Sequence, residues 1–135
     1  VIKMENKNNS IGCTVDSCKY HAKDTNYCTK NVIEDALSFE NPCLLKVDSS
    51  YVLYFNVRKL NGIYEIWRAN SKNLYDWNDF TKISIEERTI FDPAIYKTEN
   101  GFVIYGVQGS TIVKLNSVDG IEFSFEKTLM IYLNN

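Results

Sequence analysis

The sequence has little of what several enzyme classes need. It contains a single histidine, His21, which limits catalytic triads that depend on an imidazole base. It has no glycine-rich phosphate-binding loop, which argues against a nucleotide-dependent enzyme. It also has no Cys-x-x-Cys motif, so thiol redox catalysis is not expected.

Net charge and long apolar runs are scarce as well. The formal net charge is −2, which gives no electrostatic footprint for nucleic acid or an anionic membrane. No apolar run approaches the roughly 20 residues that cross a bilayer. The first ten residues, VIKMENKNNS, lack the apolar region of a secretory signal. We therefore expect no nucleic-acid partner and no membrane span, and the start at Val1 suggests a piece of a longer chain or a processed form.

Cysteine is absent after residue 43, and the composition changes at about the same place. Residues 1–40 are polar and rich in Asn, Lys and Asp, whereas the rest is rich in Tyr, Phe, Ile and Val. This predicts a cysteine-rich segment over 1–40 and a second part over 41–135. The string NVIEDALS, residues 31–38, is expected to form one or two helical turns between them.

The second part repeats itself. The string NPCLLKVDSSYVLYF at 41–55 returns as DPAIYKTENGFVIYG at 92–106, and IWRANSKNLYDW at 66–77 returns as IVKLNSVDGIEF at 112–123. The repeats are 41–91 and 92–135. Self-similarity at a period of about 50 residues is typical of solenoids and propellers.

Each repeat has the pattern of short antiparallel strands. Asn61-Gly62 and Asn100-Gly101 predict hairpin turns, because both residue types tolerate positive φ. The strings VLYF and FVIY lack polar alternation, so we expect these strands to be buried on both faces. The pattern predicts an all-β fold of two consecutive four-stranded antiparallel propeller-like blades, with a β-meander or sandwich as the alternative. The predicted strands are Leu44–Val47, Tyr51–Val57, Tyr64–Ala69 and Phe102–Val107.

Residues 40–133 resemble the five-bladed β-propeller glycosidases that act on arabinan and xylan. The resemblance rests on Asn/Asp-Pro at the start of each repeat, the aromatic run, and the I-x-x-A-x-S-x-x-x-x-x-W pattern. It implies a partial five-bladed propeller, two blades of five, so this chain would be a fragment or small relative of such an enzyme. Propellers close a ring of four to eight blades, and we expect the open blade edges to favour self-association.

The resemblance also implies where chemistry would occur. Glycoside hydrolysis uses two carboxylates, and in that family the Asp of the first Asp-Pro motif is the base. This chain has Asn41 there, and an amide cannot accept a proton from water. Asp92 is the one carboxylate in the matching motif and is the candidate catalytic residue, with a turn-stabilising role as the alternative. Trp67, Trp77 and Tyr54 are candidate carbohydrate-binding residues, or else members of the core.

The cysteines allow two interpretations. The pattern C-x4-C-x9-C resembles a small cysteine-rich family of unknown function from spore-forming bacteria over residues 11–43. Four thiolates could hold a zinc ion, with His21 as a substitute ligand. Two disulfides could instead staple the segment, in one of three pairings. Disulfides would favour a cell or spore surface, and zinc would favour the cytoplasm. The residues concerned are Cys13, Cys18, Cys28 and Cys43.

Three functions follow as hypotheses. The preferred one is a carbohydrate-binding or otherwise non-catalytic fragment of a glycosidase-like propeller. The second is part of an active glycoside hydrolase whose other blades are missing from this sequence. The third is a disulfide-linked structural protein of a spore or cell surface.

Overall fold

The computed structural model describes residues 8–12, 27–28 and 33–129. The chain divides into two compact units, Val1–Glu34 and Asp35–Asn135. In the first unit, β1 (Asn8–Gly12) pairs antiparallel with β2 (Tyr27–Cys28). The rest of the predicted cysteine-rich knot lies outside the described residues.

The second unit consists of two four-stranded antiparallel sheets. In each sheet the strands follow one another in space as they do in sequence. This confirms the predicted all-β fold with two consecutive four-stranded antiparallel sheets, and the described residues contain no helix. The first sheet comprises β3 (Ala36–Val47), β4 (Ser50–Lys59), β5 (Tyr64–Ser71) and β6 (Asn78–Lys82). The second comprises β7 (Phe91–Thr98), β8 (Gly101–Gln108), β9 (Thr111–Ser117) and β10 (Ser124–Leu129).

A hairpin forms at each predicted Asn-Gly, but Asn-Gly is not the two-residue turn in either. Gly62, with φ 83, lies in a loop over 60–63 between β4 and β5. The turn between β7 and β8 consists of residues 99–100, and Gly101, with φ 134, is already the first residue of β8, opposite Thr98. Asn61 contributes through its side chain, because its Oδ1 accepts a hydrogen bond from the backbone N of Ile63 at 3.0 Å. A Cβ on Gly101 would clash with the carbonyl oxygen of Ser117. Glycine is therefore required there by close packing as well as by φ.

The helical turn predicted over residues 31–38 is wrong from Ala36 onward. Asp35 adopts φ 56, and β3 starts immediately after it, with Ala36 opposite Lys59 and Ser38 opposite Arg58. The end of β4 offers backbone partners to this segment, and such tertiary pairing outweighs a weak local helix propensity. Residues 31 and 32 lie outside the described residues.

Successive side chains along each strand point to opposite faces of its sheet. We call the face of the first sheet that carries Val52 and Tyr54 of β4 its front face, and the face that carries Leu53 its back face. Equivalent residues of the two repeats are 51 apart in this region. Tyr105 of β8 therefore lies on the front face of the second sheet.

The front face of the first sheet packs against the back face of the second. The shared core joins Val52 and Tyr54 to Phe102 and Ile104, and the rings of Tyr54 and Phe102 are 6.4 Å apart. The strand β7 lies beside β3 and β4. The front face of one sheet therefore contacts the back face of the other, so the two contacting faces are not equivalent positions of the repeat. We call this arrangement head to tail.

The expectation that the aromatic strands are buried on both faces is confirmed for one strand only. In β4, the consecutive residues 54–57 are all buried, although Leu53, within the string VLYF, is half-buried. In β8 the expectation is wrong, because the buried Phe102 and Ile104 alternate with the half-buried Val103 and Tyr105. The second sheet thus has one covered face and one partly exposed face with apolar residues.

Residues 83–90 connect the sheets and close one side of the core. Ile83 and Ile90, at the two ends of the connection, are buried. The backbone N of Ser84 donates to the carbonyl of Ile121 at 2.9 Å, and the N of Phe123 donates to the carbonyl of Ser84 at 2.8 Å. The connection is therefore hydrogen-bonded to the turn after β9, as a short parallel bridge.

Within the part of the chain that the structure describes, no helix is long and apolar enough to cross a membrane.

Candidate functional site

The two repeats place Asn41 and Asp92 side by side. Each lies at a bulge in the first strand of its sheet, each precedes a proline, and their φ values are 50 and 48. Asn and Asp are the non-glycine residues that adopt this left-handed conformation most readily. The local sequence thus explains why both strands bend in the same way at this point.

A hydrogen bond joins these two side chains. Asn41 Nδ2 donates to Asp92 Oδ1 at 2.7 Å, and the pair is exposed. Asp92 keeps one oxygen free of this bond, and Asn41 keeps its carbonyl oxygen and a second N–H. We call these two residues the Asn41–Asp92 pair. It can accept and donate hydrogen bonds at the same place, which suits a ligand with neighbouring hydroxyl groups.

Charged and aromatic side chains flank the Asn41–Asp92 pair along its strands. Glu40 precedes Asn41 and accepts a hydrogen bond from the Ser38 hydroxyl at 2.6 Å. Phe91 precedes Asp92, is 37 % exposed, and contacts the edge of the Tyr64 ring at a centroid distance of 5.0 Å. The strand segments around the pair thus carry a carboxylate and a partly exposed aromatic ring.

A buried amide lies in the same strand layer. Asn56 stands opposite Glu40 in the β3–β4 ladder and is 1 % exposed. Its Nδ2 donates to the carbonyl of Ile90 at 3.5 Å, while its Oδ1 has no partner among the described residues. A buried acceptor without a donor costs free energy, about 1–3 kcal/mol. An internal water bound to this oxygen would remove that cost.

The geometry of the Asn41–Asp92 pair bears on catalysis. Glycoside hydrolysis needs an acid and a base or nucleophile on opposite sides of the scissile bond. Asn41 carries an amide, which cannot act as a base, and this amide holds one oxygen of Asp92. Glu40 and Asp92 are the carboxylates at this place, and Glu40 is already held by Ser38. Each of these two carboxylates therefore already accepts a hydrogen bond from a neighbouring side chain.

Tyr54, one of the candidate sugar-binding residues, lies in the core with no exposed surface. Its hydroxyl donates to the carbonyl of Gly120 at 2.8 Å, and the Arg68 guanidinium lies 5.7 Å from its ring centre. Burial raises the pKa of Tyr54 to about 12, against the opposing charge of Arg68. Its ring holds the two sheets together and offers no face to a ligand.

The two tryptophans lie in the first sheet or at its edge, both half-buried. Trp67 is in β5 on the back face, and its indole N–H donates to Glu65 Oε2 at 2.8 Å. Burial tends to raise the pKa of Glu65, but hydrogen bonds from Trp67 and Lys82 outweigh it and the pKa is lowered. Trp77 precedes β6. The structure does not bring either indole together with the Asn41–Asp92 pair, which lies on β3 and β7.

The cysteine cluster is described only in part. Cys43 is a free, half-buried thiol whose Sγ lies 3.5 Å from the carbonyl oxygen of Ile95 in the second sheet. Cys13 and Cys18 lie outside the described residues, and Cys28 is described as part of β2 only. No group of potential metal ligands occurs in the residues that the structure describes. Zinc binding and disulfide pairing stay predictions.

Sequence reasoning missed a pair of matching turns. After β9, the Ser117 hydroxyl accepts from the backbone N of Gly120 at 2.8 Å, and Asp119 Oδ1 accepts from that of Glu122 at 3.0 Å. After β5, Ser71 and Asn73 make the same bonds. The signal was available, because Asn-Ser-x-Asn/Asp recurs at equivalent places in the two quoted strings. We call these the first turn, residues 71–76, and the second turn, residues 117–122.

Comparisons of the chain with protein-family models and with curated proteins found no match.

Proposed function

We propose that residues 35–129 are two blades of a β-propeller-type fold that binds carbohydrate at the Asn41–Asp92 pair. The observation that carries the proposal is the hydrogen bond between these residues at equivalent bulges of the two first strands. In a propeller the first strands of successive blades line a common axis, and β7 beside β3 matches that arrangement.

The chemistry of the pair favours sugars over other ligands. A carboxylate oxygen accepts strongly from hydroxyl groups, and the amide can both donate and accept. Phe91 supplies a partly exposed aromatic ring next to the pair, and ring faces contact the apolar faces of sugars.

The first test is direct binding of arabino- and xylo-oligosaccharides, measured by isothermal titration calorimetry with the full chain. Asp92→Asn should weaken binding about tenfold or more, because a hydrogen bond to a charged group is worth about 1.5–3 kcal/mol. Asparagine tolerates positive φ, so the bulge should survive the change.

Asp48→Asn is the matched control, because Asp48 is also exposed and has φ 54. It should bind as the unchanged protein does. Equal affinity of the Asp92 and Asp48 variants, or absence of binding to every oligosaccharide tried, would contradict the proposal.

An active hydrolase is the second candidate, since Asp92 sits in the Asp-Pro motif. The same oligosaccharides, incubated with the chain and analysed for shorter products, distinguish the two. If the wild-type chain forms shorter products and the Asp92→Asn variant does not, the function is hydrolysis and not binding alone.

A further inference from the structure

The front face of the second sheet resembles a surface that is already buried elsewhere in the molecule. In the first sheet, the equivalent face packs against a neighbouring sheet. In the second sheet it is partly exposed, with Tyr96 54 % exposed and Val103 and Tyr105 half-buried. Tyr96, Val103, Tyr105, Ile112, Lys114 and Asn116 stand where the first sheet has Leu45, Val52, Tyr54, Ile66, Arg68 and Asn70.

The first sheet uses its front face to hold the second turn. Tyr54 donates its hydroxyl to the carbonyl of Gly120 at 2.8 Å. Arg68 Nη1 donates to the carbonyls of Asp119 at 3.1 Å and Gly120 at 3.4 Å. A front face of this kind therefore binds a turn that presents two successive carbonyl groups.

The first turn has the same construction and is exposed. Ser71 Oγ accepts from the backbone N of Leu74 at 2.9 Å, and Asn73 Oδ1 accepts from that of Asp76 at 2.9 Å. Leu74 has φ 69 and its counterpart Gly120 has φ 74. Leu74 is 42 % exposed and Tyr75 is 88 % exposed, so this turn leaves apolar surface uncovered.

The back face of the first sheet is also uncovered along β3. Leu44 is 52 % exposed, whereas its counterpart in the second sheet, Ile95, is 2 % exposed in the core. Leu44 lies opposite Leu53 on this face, and Leu53 is half-buried. Within the residues that the structure describes, the front face of the second sheet and the β3 side of the back face of the first sheet are thus partly exposed, and these are the two halves of the contact between the chain's own sheets.

We propose that the partly exposed front face of the second sheet binds a second copy of this chain, through the first turn and the β3 side of that copy's first sheet. The contact repeats the one inside the chain, with Lys114 in the place of Arg68. It is heterologous, so it continues as a ring if the rotation closes and as an open filament if it does not.

Lys114 is placed for this role. Its ammonium lies 2.7 Å from Glu126 Oε2, and Asn116 donates to the same carboxylate oxygen. An ammonium has three donors, so Lys114 can keep this bond and still donate to the carbonyls of a bound turn. Arg68 does the equivalent, because it donates to Asn70 Oδ1 at 3.1 Å while it holds the second turn.

One position makes the intermolecular contact weaker than the internal one. A Cβ on Gly120 would lie 2.5 Å from the Tyr54 hydroxyl oxygen, and the first turn carries Leu74 at this point. The Leu74 side chain keeps the Tyr105 hydroxyl of the other copy from reaching the carbonyl in the same way. Leu74→Gly should therefore strengthen association.

The test is sedimentation equilibrium of the full chain from low micromolar to submillimolar concentration. The wild-type chain should associate reversibly, with or without reductant. Tyr96→Glu alters the front face of the second sheet, and Leu44→Glu alters the back face of the first; each should abolish association. Both side chains are more than half exposed, so the fold should tolerate the changes. Leu60→Glu, at a residue that is 66 % exposed in the β4–β5 turn, is the control and should associate normally.

Mixing the two variants gives the decisive result. A Tyr96→Glu chain retains an intact back face and a Leu44→Glu chain retains an intact front face, so the mixture should form a dimer that grows no further. A monomeric wild-type chain over the whole range overturns the proposal. Continued association of either variant, or no dimer on mixing, overturns it as well. The result of this association experiment, whichever it is, leaves the sugar-binding test unchanged, because that test depends on the Asn41–Asp92 pair.

Discussion

Gly120 and Leu74 have nearly the same φ, but substitution is expected to cost much more stability at Gly120 than at Leu74. Gly120→Ala should destabilise the protein by about 2–4 kcal/mol, from the strain of positive φ and from overpacking. The added Cβ would meet the Tyr54 hydroxyl at 2.5 Å and the Phe102 ring at 3.0 Å. Leu74→Gly relieves the same backbone strain at φ 69 but increases the freedom of the unfolded chain, so the free energy of unfolding should change by less than about 1 kcal/mol.

Urea denaturation of the two variants and the wild type measures this difference. Destabilisation of similar size in both would show that the two turns do not differ in packing as the structure has them.

Tyr54 gives a second prediction at the scale of a single residue. Its hydroxyl is buried and bonded to Gly120, so Tyr54→Phe should lower the free energy of unfolding by about 1 kcal/mol at pH 7. Burial raises the pKa of Tyr54 to about 12. The folded state disfavours the phenolate, and stability is therefore lost as the pH rises from about 10 towards 12.

The Tyr54→Phe variant should lose less stability than the wild type over that alkaline interval. The control is Tyr105→Phe, because Tyr105 is the equivalent residue of the second sheet and is only half-buried. Urea denaturation at pH 8 and pH 11 makes the comparison. Parallel behaviour of the two tyrosine variants would contradict the burial of the Tyr54 hydroxyl.

At the scale of the structural element, the second turn depends on one carboxylate. Backbone N–H groups of Glu122 and Ile121 bond to Asp119, and together they lower the pKa of this carboxyl below its usual range. A lowered folded-state pKa means that the ionised form stabilises the fold above about pH 4. That contribution is lost as the pH falls through the folded-state pKa.

Asp119→Asn should keep the turn, since Asn73 makes the equivalent bonds in the first turn. We expect a change below about 1 kcal/mol at pH 7 and a smaller loss of stability than the wild type shows as the pH is lowered from about 5 to about 2. Thermal unfolding across this range, with Asp48→Asn as the surface control, measures the effect. If the wild type and Asp119→Asn lose the same stability as the pH is lowered, the Asp119 carboxylate does not contribute to the pH dependence of stability.

Hairpins could be predicted from the sequence because their turn residues are neighbours along the chain. Asn61-Gly62 and Asn100-Gly101 marked the places of two hairpins, and hairpins formed at both places, although Gly101 lies in β8 and not in the turn. The segment after Asp35 was missed because its partners, Lys59 and Arg58, lie about twenty residues away along the chain. Pairing with distant residues is invisible to a local pattern.

At the scale of the whole molecule, the repeat predicted that two sheets exist, but it did not predict which faces meet. The strings VLYF and FVIY are apolar on both sides, so the front and back faces could not be distinguished. The head-to-tail arrangement emerges from Tyr54 and Gly120, which belong to different repeats.

The sequence predicted that Asn41 and Asp92 occupy equivalent positions of the two repeats, but it did not predict that their side chains contact each other. That contact requires β7 to lie beside β3, which only the packing of whole sheets determines. The placement of Tyr54 was likewise a matter of packing. An aromatic residue in a strand is equally compatible with a ligand platform and a core until the neighbouring sheet is in place.

The connection between the sheets has a consequence for how the chain could be divided. Its two ends are anchored by Ile83 and Ile90, and its middle, at Glu86 and Glu87, is exposed. A backbone cut at that point would separate the sequence repeats without removing any of the apolar side chains that hold the sheets together. The two pieces, expressed apart, would then be expected to complement each other as a split protein.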